Sequence, residues 1–259
     1  MNNREQVLEE ARELGVYIRR NVDMTPEKFY NWCSYISIPW TEEIHKIHKE
    51  DLGLDSVVRW SNKNAFKGHS LPWHADNPWH HDYKFPLRVL WGSKIPNPKN
   101  DILHFLHITN WFEDQDKSTK EYFRSLKVLV QDYKKTCQPY WTSFVKKHPI
   151  TKKESFNWGS MAIDSKVFGL SPDEGQRFPH FSYTMAIEKD NRELISKEEI
   201  ESWFHSMITD KYMISHQWNE KDLLVLDNWV SLHYIGRRDY REERLLWRKT
   251  LLQPWQTIG

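Results

Sequence analysis

Two distant parts of the chain carry residues that can bind one metal ion, and the fold must bring them together. The first is His74-Ala75-Asp76, in GHSLPWHADNPWHHD, and the second is His233, in LLVLDNWVSLHY. Side chains two apart on a strand share a face, so His74 and Asp76 can act as a pair. Two imidazoles and one carboxylate with open positions form the facial ligand set of non-haem Fe(II). The chain between the two parts is long enough to build most of a β-barrel.

The stretch around the first triplet holds competing donors. His80-His81-Asp82 follows within a few residues and offers the same kinds of ligand atom. A zinc hydrolase could also use the histidines and aspartates of residues 74–82. However, the His-x-His-x-Asp-His and His-Glu-x-x-His arrangements are both absent from the sequence. The residues by themselves leave an iron site, a zinc site and a solvated polar loop as alternatives.

The composition argues against several classes of protein. The 259 residues carry a formal net charge of +1, so no excess charge indicates binding to nucleic acid or to an anionic membrane. The two cysteines, Cys33 and Cys137, form neither a disulfide framework nor a zinc motif, which favours a reducing compartment. The N-terminus lacks an apolar signal core, and no apolar run approaches the ~20 residues of a membrane span. We expect a cytoplasmic protein.

Helices are predicted near both ends of the chain. Apolar residues in EQVLEEAREL (5–14) recur with helical spacing, and Gly15 follows as a stop. Thr25-Pro26 predicts the start of a second helix, and a third is expected from Thr41. ISKEEIESWFHSMI (195–208) is predicted to be a helix with a capping box at its start.

Short strands fill much of the remaining chain. The predicted strands are SVVRW, PLRVLWGSKI, DILHFLHI, MISHQW, DLLVLDNW and LLWRKTLL. Residues 110–135 are predicted to be helical, and residues 136–180 are loop-like. Helices first, then many strands with one late helix, indicate an α+β fold with a β-barrel-like core. Because no linker or repeat is visible, we expect a single domain over residues 1–259.

Segments along nearly the whole chain share one pattern. GHSLPWHAD has the form Gly-x-x-x-x-Trp-His-x-Asp, HQWNEKDLLVLDNWVSLH contains Trp-x-x-x-Asp-Leu before Asp-Asn and His, and ERLLWRKT ends in Arg-x-x-x-Arg-x-Thr. With LGVYIRRNVDMTPEKFYNW and LRVLWGSKIPNPKNDILHF, these segments resemble the taurine/2,4-D dioxygenase (TauD/TfdA) family of Fe(II)/2-oxoglutarate-dependent oxygenases. The most specific motif residues are Asp227, Asn228, His233, Arg244, Arg248 and Thr250.

The resemblance implies a fold, two cofactors and a set of site residues. The fold would be α+β, with a double-stranded β-helix (jelly roll) core and flanking helices. His74, Asp76 and His233 would be the catalytic iron ligands. Arg244 would pair with the distal carboxylate of 2-oxoglutarate, because its planar fork meets a carboxylate bidentately. Arg248 would lie near the cofactor or the substrate.

The activity implied is oxidation of a C–H bond, most often hydroxylation, in a small-molecule substrate. O₂ would be consumed, and succinate and CO₂ released. Halogenating relatives replace the carboxylate ligand with a small residue, so an intact Asp76 favours hydroxylation or desaturation. Arg248 and Arg88 are candidates to face an anionic group, which favours an amino-acid-like or other anionic metabolite. A non-catalytic jelly-roll binding protein derived from the family is the alternative, and a homo-oligomer is compatible with the sequence.

The chain departs from the family pattern in two places. The family often has Gly-Gly-Asp-Thr, in which Thr helps to hold 2-oxoglutarate, whereas here Asp101 is followed by Ile102. Ile102 cannot donate a hydrogen bond, so Thr109 or a tryptophan is a candidate to compensate. The second departure is the rival triplet His80-His81-Asp82. The interval from Asp76 to Asp101 is near the family's usual one and that from the rival is too short, which favours the first triplet.

Residues beside the candidate ligands have predicted supporting roles. Asn228 is predicted to be a structural hydrogen-bonding residue, and Asp227 is predicted to orient a neighbouring group. Trp73, Trp79 and Trp229 could form an aromatic wall next to the ligands. Trp73 and Trp229 could equally face the core, because the strand neighbours of inward residues point away.

Overall fold

Two antiparallel sheets with flanking helices form the centre of the protein, in a computed structural model that describes residues 3–39, 58–61, 71–76, 87–130, 140–157, 187–235 and 242–253. The helices are α1 (Arg4–Leu14), α2 (Pro26–Ile36), α3 (Ile108–Glu113), α4 (Lys117–Ser125) and α5 (Lys197–Met207). The strands are β1 (Val16–Arg19), β2 (Val58–Ser61), β3 (Leu71–His74), β4 (Leu87–Lys94), β5 (Ile102–His107), β6 (Lys127–Val130), β7 (Tyr140–Ser143), β8 (Val145–Lys147), β9 (Glu154–Phe156), β10 (Ile187–Glu188), β11 (Met213–Gln217), β12 (Leu223–Asp227), β13 (Ser231–Ile235) and β14 (Leu245–Leu251). This mixture of helix and sheet confirms the predicted α+β class.

The two large sheets are built from strands that are distant in sequence. The major sheet has the strand order β1-β12-β4-β14-β2, and the minor sheet has the order β11-β5-β13-β3. All neighbours in these two sheets are antiparallel. The strands predicted around MISHQW, DLLVLDNW and LLWRKTLL are confirmed as β11, β12 and β14.

The helices α1 and α2 cover one face of the major sheet, which we call its outer face. Val89 and Trp91 of β4 and Trp247 of β14 are buried there against apolar side chains of both helices. Phe29 of α2 meets Trp247 edge to face, with ring centroids 6.0 Å apart. The predicted start of α2 is confirmed, because the Thr25 side chain caps its first turn.

The turn between α1 and β1 ties the N-terminus to the minor sheet. Gly15 ends α1 as predicted and has a φ of +80°, a left-handed conformation that favours glycine. A Cβ atom on Gly15 would lie 2.7 Å from Cβ of Ser231. The Ser231 hydroxyl instead donates a hydrogen bond of 3.0 Å to the Gly15 carbonyl. The close approach fixes the beginning of β13, the strand that carries His233.

The inner face of the major sheet packs against the minor sheet. Leu224 and Leu226 of β12 and Leu246 of β14 form one buried cluster with Leu103 and Phe105 of β5. Because side chains alternate along a strand, the residues between these in sequence face away from the inter-sheet space. The alternation therefore identifies which residues of every strand point between the sheets.

A third layer covers the far side of the minor sheet. Trp73 of β3 and Leu232 of β13 are buried there in a cluster with residues of α3, α4 and α5. Smaller sheets, β10-β6-β7 and β8-β9, contribute to the same layer. The Ser196 side chain caps α5 by accepting from the Glu199 N–H, which is one of the two hydrogen bonds of the predicted capping box.

The prediction of one helix over residues 110–135 is wrong in its second part. The α4 helix ends at Ser125, and residues 127–130 form β6, which pairs with β7. The apolar spacing fits a helix locally, but pairing with distant strands and the burial of Val128 favour a strand. The loop-like region 136–180 also contains β7, β8 and β9, whereas the helix expected from Thr41 lies outside the described residues.

The sequence predicts no membrane-spanning segment, and the helices of the structure can be compared with this prediction. Within the described ranges, no helix is both long enough and apolar enough to cross a bilayer.

Candidate metal centre

The strands β3 and β13 lie side by side and place two histidines opposite each other. Their register pairs His74 with His233, and the two ring centroids are 4.1 Å apart. Trp73, Ala75 and Leu232 alternate with these histidines and are buried on the far side of the minor sheet. Both imidazoles therefore face the inter-sheet space.

Asp76 completes a group of three potential metal ligands. It lies just beyond β3 and continues the alternation that begins at His74. Its Oδ2 atom is 3.9 Å from Nε2 of His233, and one ligand atom from each of the three residues lies within 4.8 Å of the others. Two imidazole nitrogens and one carboxylate oxygen suit a first-row divalent ion and leave positions open for further ligands. This donor set fits Fe(II).

The surroundings hold His233 and Asp76 in the protonation states that bind a metal. Burial, followed by the proximity of His74, lowers the pKa of His233 to about 3. Burial, the largest single effect, would raise the pKa of Asp76, but the charges of Arg88, His233, Arg248 and His74 together outweigh it and hold that pKa below its usual range. At pH 7 His233 is neutral and Asp76 is ionised, which are the forms that coordinate a metal.

Arg88 and Asn228 fix Asp76 from two directions. Nε of Arg88 donates to Oδ2 of Asp76 at 2.7 Å, and a second guanidinium nitrogen donates to the Thr250 hydroxyl. The backbone N–H of Asp76 donates to Oδ1 of Asn228 at 3.0 Å, a structural hydrogen bond of the kind predicted for this asparagine. The sequence indicates Arg88 only as a candidate to face an anionic group. The alternation of LRVLW, which turns Arg88 inward while its neighbours face the helices, could have identified its position.

Asp227 orients the loop that precedes β13, as predicted. Its Oδ1 accepts the backbone N–H of Trp229 at 2.9 Å and the side-chain amide of Gln253 at 2.8 Å. Burial raises the pKa of Asp227 to about 6, against the opposing effect of these hydrogen bonds. The loop also contains Asn228, so Asp227 supports the contact to Asp76.

Arg244 lies just before β14 and pairs with a buried carboxylate. Its Nε donates to Oδ2 of Asp101, and both side chains are almost fully buried. The guanidinium carbon lies 5.4 Å from the ring centre of Trp218, which belongs to the inter-sheet cluster. The pairing with Asp101 orients the guanidinium at one end of the inter-sheet space.

Arg248 lies within β14 and close to the three potential ligands. Leu246 faces the inter-sheet space and Trp247 the outer face, so alternation turns Arg248 and Thr250 inward. The charge of Arg248 contributes to the lowered pKa of Asp76. The structure thus brings His74, Asp76, His233 and Arg248 together, with Arg244 paired to Asp101.

The tryptophans and the rival triplet that the sequence places near the ligands differ in where the structure puts them. Trp73 is only 2 % exposed and packs against the ring of Tyr234, so it belongs to the core and not to an aromatic wall. Trp229 packs against the same cluster, with Nζ of Lys146 5.2 Å from its ring centre. Trp79 and the rival triplet His80-His81-Asp82 lie outside the described residues.

Ile102, which stands where the family often has Thr, does not lie on the face of the minor sheet that packs against the major sheet. Leu103 and Phe105 of β5 point between the sheets, so Ile102 points to the opposite side. Thr109, a candidate to compensate, is buried in α3 after the strand has ended.

The comparison with known families assigns this arrangement to a class of enzyme. Residues 93–250 match the sequence model of the family described as taurine catabolism dioxygenase TauD, TfdA family. The chain belongs to this family. Its members are 2-oxoglutarate-dependent non-haem iron dioxygenases, so the chain is an enzyme of that class with Fe(II) and 2-oxoglutarate as cofactors. The matched range includes His233, Arg244 and Arg248 but begins after His74 and Asp76, which are linked to it by the pairing of β3 with β13.

Solved structures show the same TauD/TfdA dioxygenase fold. A taurine dioxygenase from Burkholderia xenovorans is 15% identical, with a TM-score of 0.67 over 97% of this chain and 83% of its own. AAD-2 in complex with Mn(II) and N-oxalylglycine is 16% identical, with a TM-score of 0.64 over 98% of this chain and 89% of its own. PvcB is an Fe, alpha-ketoglutarate dependent oxygenase from an isonitrile synthetic pathway. It is 14% identical, with a TM-score of 0.66 over 98% of this chain and 84% of its own. Comparison with curated protein sequences found no match.

Proposed function

We propose that this TauD/TfdA family member hydroxylates a C–H bond of a small, anionic or amino-acid-like metabolite, with release of succinate and CO₂. His74, Asp76 and His233 bind Fe(II). Arg244 binds the distal carboxylate of 2-oxoglutarate, and Arg248 binds the substrate or the other end of the cofactor. The single observation that carries this proposal is the convergence of three ligand atoms within 4.8 Å, from two strands far apart in sequence.

The protein's own residues prepare the site for cofactors and substrate. When bound, iron and 2-oxoglutarate supply the oxidising chemistry. His233 is neutral and Asp76 is ionised, so neither has to lose a proton before it binds the metal. The intact carboxylate of Asp76 leaves no room for a halide at its position, which supports hydroxylation or desaturation over halogenation.

Charge near the candidate ligands supports an anionic substrate. Among the described residues, Arg88 is paired with Asp76 and Arg244 with Asp101, and the charge of Arg248 also acts on Asp76. A divalent metal and a doubly charged co-substrate cancel each other. The positive charge of Arg248 beside the candidate ligands therefore favours a negatively charged group on the substrate.

Two statements about architecture accompany the proposal. We infer that the major and minor sheets are the two walls of a jelly roll, supported by their antiparallel strands and the apolar cluster between them. We also infer a single domain over residues 1–259, supported by structural matches that cover 97% and 98% of the chain.

The proposal is tested by comparing the wild type with a His233→Ala variant. Anaerobic addition of Fe(II) and 2-oxoglutarate to the wild type should give the weak visible charge-transfer band of the chelate. Admission of O₂ should then give succinate, slowly even without substrate. His233→Ala should lose both signals because it removes one of three ligands.

His104→Ala is the matched control for this experiment. His104 lies on β5, next to β13, but faces the opposite side of the minor sheet, where its Nδ1 is 2.7 Å from the Ser215 hydroxyl. This variant should retain the band and succinate formation. Equal succinate from the wild type and His233→Ala, above an enzyme-free blank, would contradict the proposed function.

A further inference from the structure

Arg88 is an unusual residue for the inner face of a sheet. It lies in the middle of the apolar strand β4, and only 1% of its surface is exposed. A buried guanidinium is costly unless its charge and its N–H groups are matched by partners. Arg88 has such partners in Asp76 and Thr250, which belong to two other parts of the chain.

The sheet itself does not fix the carboxylate of Asp76. The pairing of β3 with β13 places His74 opposite His233 but ends before Asp76. The Asn228 side chain holds the backbone N–H of Asp76, at 3.0 Å. Among the described residues, Arg88 Nε donates to Asp76 Oδ2 at 2.7 Å, and this contact limits rotation about the side-chain bonds of Asp76.

Thr250 in turn fixes the guanidinium. A guanidinium nitrogen of Arg88 donates to its hydroxyl, and Thr250 lies opposite Arg88 in the pairing of β14 with β4. The hydroxyl is therefore held by the same strand pairing that positions the arginine. A planar guanidinium with two partners in fixed directions has little freedom to turn.

We propose that Arg88 is a positioning residue of the metal centre: with Thr250, it holds Asp76 in the rotamer that completes the ligand set with His74 and His233. This inference rests on the proposed function, because it assumes that these three residues bind the metal. Arg88 acts through Asp76 and is assigned no contact with the substrate.

The direction in which the metal affinity changes when Arg88 is replaced distinguishes a positioning role from a purely electrostatic one. A fixed positive charge near a metal site repels a divalent cation, so removing it should by itself tighten metal binding. Loss of a partner that orients a ligand should instead weaken metal binding, typically by 10- to 100-fold. A role confined to stability would lower the midpoint of unfolding and leave the metal affinity of the folded protein unchanged.

The test is a titration of the 259-residue chain with Mn(II). Binding is monitored by calorimetry and by the EPR signal of free Mn(II). We expect Arg88→Gln to raise the Kd for Mn(II) by about 10- to 100-fold. Thr250→Val keeps the charge of Arg88 but removes its second partner, and we expect a smaller rise in the same direction. Arg124→Gln is the control, because Arg124 forms an equally close pair with Glu154 on the far side of the minor sheet. Its Kd should equal that of the wild type.

The outcomes distinguish this inference from the function on which it rests. An unchanged or lower Kd in Arg88→Gln would overturn the positioning role. If Arg88→Gln does not fold, Thr250→Val decides, and an unchanged Kd there overturns the role. A wild-type protein that shows no saturable Mn(II) binding would instead overturn the proposed metal centre itself.

Discussion

The two faces of the major sheet use the same strands for different purposes. On the outer face, Val89, Trp91 and Trp247 are buried in a hydrophobic cluster with α1 and α2. On the inner face, the residues next to them in sequence include Arg88 and Arg248. One step along a strand therefore separates a core position from a position at the candidate metal centre.

This difference shows where stability and chemistry reside. Apolar burial on the outer face stabilises the sheet in proportion to the area removed from water. Buried charges on the inner face are tolerated because they are paired, Arg88 with Asp76 and Arg244 with Asp101. Such pairs add little net stability, since the cost of desolvation offsets their attraction. The inner face is thus organised for binding and depends on the outer face for its rigidity.

The largest effect is expected from Trp247→Ala on the outer face. The Trp247 ring packs against Trp91, with centroids 4.3 Å apart, and against Phe29. Removing it should lower the free energy of unfolding by about 3–5 kcal/mol, as for other large buried aromatic residues. Urea unfolding measures the loss. The Kd for Mn(II) below the transition should stay at the wild-type value, and a large rise would show that the two faces are not separable.

The next effect is expected from Arg244→Lys on the inner side. An ammonium cannot reproduce the fork with which a guanidinium meets a carboxylate. If Arg244 anchors 2-oxoglutarate, the loss of about 2–5 kcal/mol of binding corresponds to a KM for 2-oxoglutarate raised on the order of 30-fold or more. Steady-state kinetics of succinate formation measure this constant.

Arg248→Lys is the counterpart to this variant. Arg248 lies nearer to Asp76 and His233, so its replacement should raise the substrate requirement more than the 2-oxoglutarate requirement. A KM for 2-oxoglutarate that is unchanged in Arg244→Lys and raised in Arg248→Lys would reverse the two assignments.

Local patterns in the sequence predict a large part of the fold. The apolar runs of β12 and β14, the cap at Thr25 and the stop at Gly15 carry their signals within a few residues. His74, Asp76 and His233 could be proposed as a group because His-x-Asp needs a distant third ligand to complete a facial set. The C-terminal motif then indicates which histidine that is.

Features that depend on distant contacts could not be predicted in this way. The apolar spacing at residues 126–130 fits a helix, and the pairing of β6 with β7 and β10 makes it a strand. The partner of Arg88 is Asp76, and the contact exists because β4 and the end of β3 meet across the inter-sheet space. The direction of Ile102 depends on the phase of alternation in β5, which the neighbours Leu103 and Phe105 reveal only in the structure.

Asp227 differs from the inner-face carboxylates Asp76 and Asp101, because it is buried but is not paired with an arginine in the part of the chain that the structure describes. Alternation along β12 directs it away from the inner face, and within the described residues it accepts two hydrogen bonds but forms no ion pair. Burial raises its pKa to about 6, above the ordinary value near 3.9. Between these pH values the unfolded chain releases the proton more readily than the folded protein. The contribution of Asp227 to stability should therefore fall as the pH rises from about 4 to about 6, by up to about 3 kcal/mol.

Asp227→Asn should remove this dependence. An asparagine Oδ1 can accept the same two hydrogen bonds, from Trp229 and Gln253, without a charge to bury. Urea unfolding across pH 4–7 should show nearly equal stability of the wild type and the variant at the acid end. Above about pH 6 the variant should be the more stable of the two.

Asp116→Asn is a control of opposite sign. Hydrogen bonds from Ser118 and Thr119 hold the pKa of Asp116 below its usual value, so its contribution is present near neutral pH and fades as the pH falls. A difference between wild type and Asp227→Asn that does not vary with pH would show that folding does not raise the pKa of Asp227.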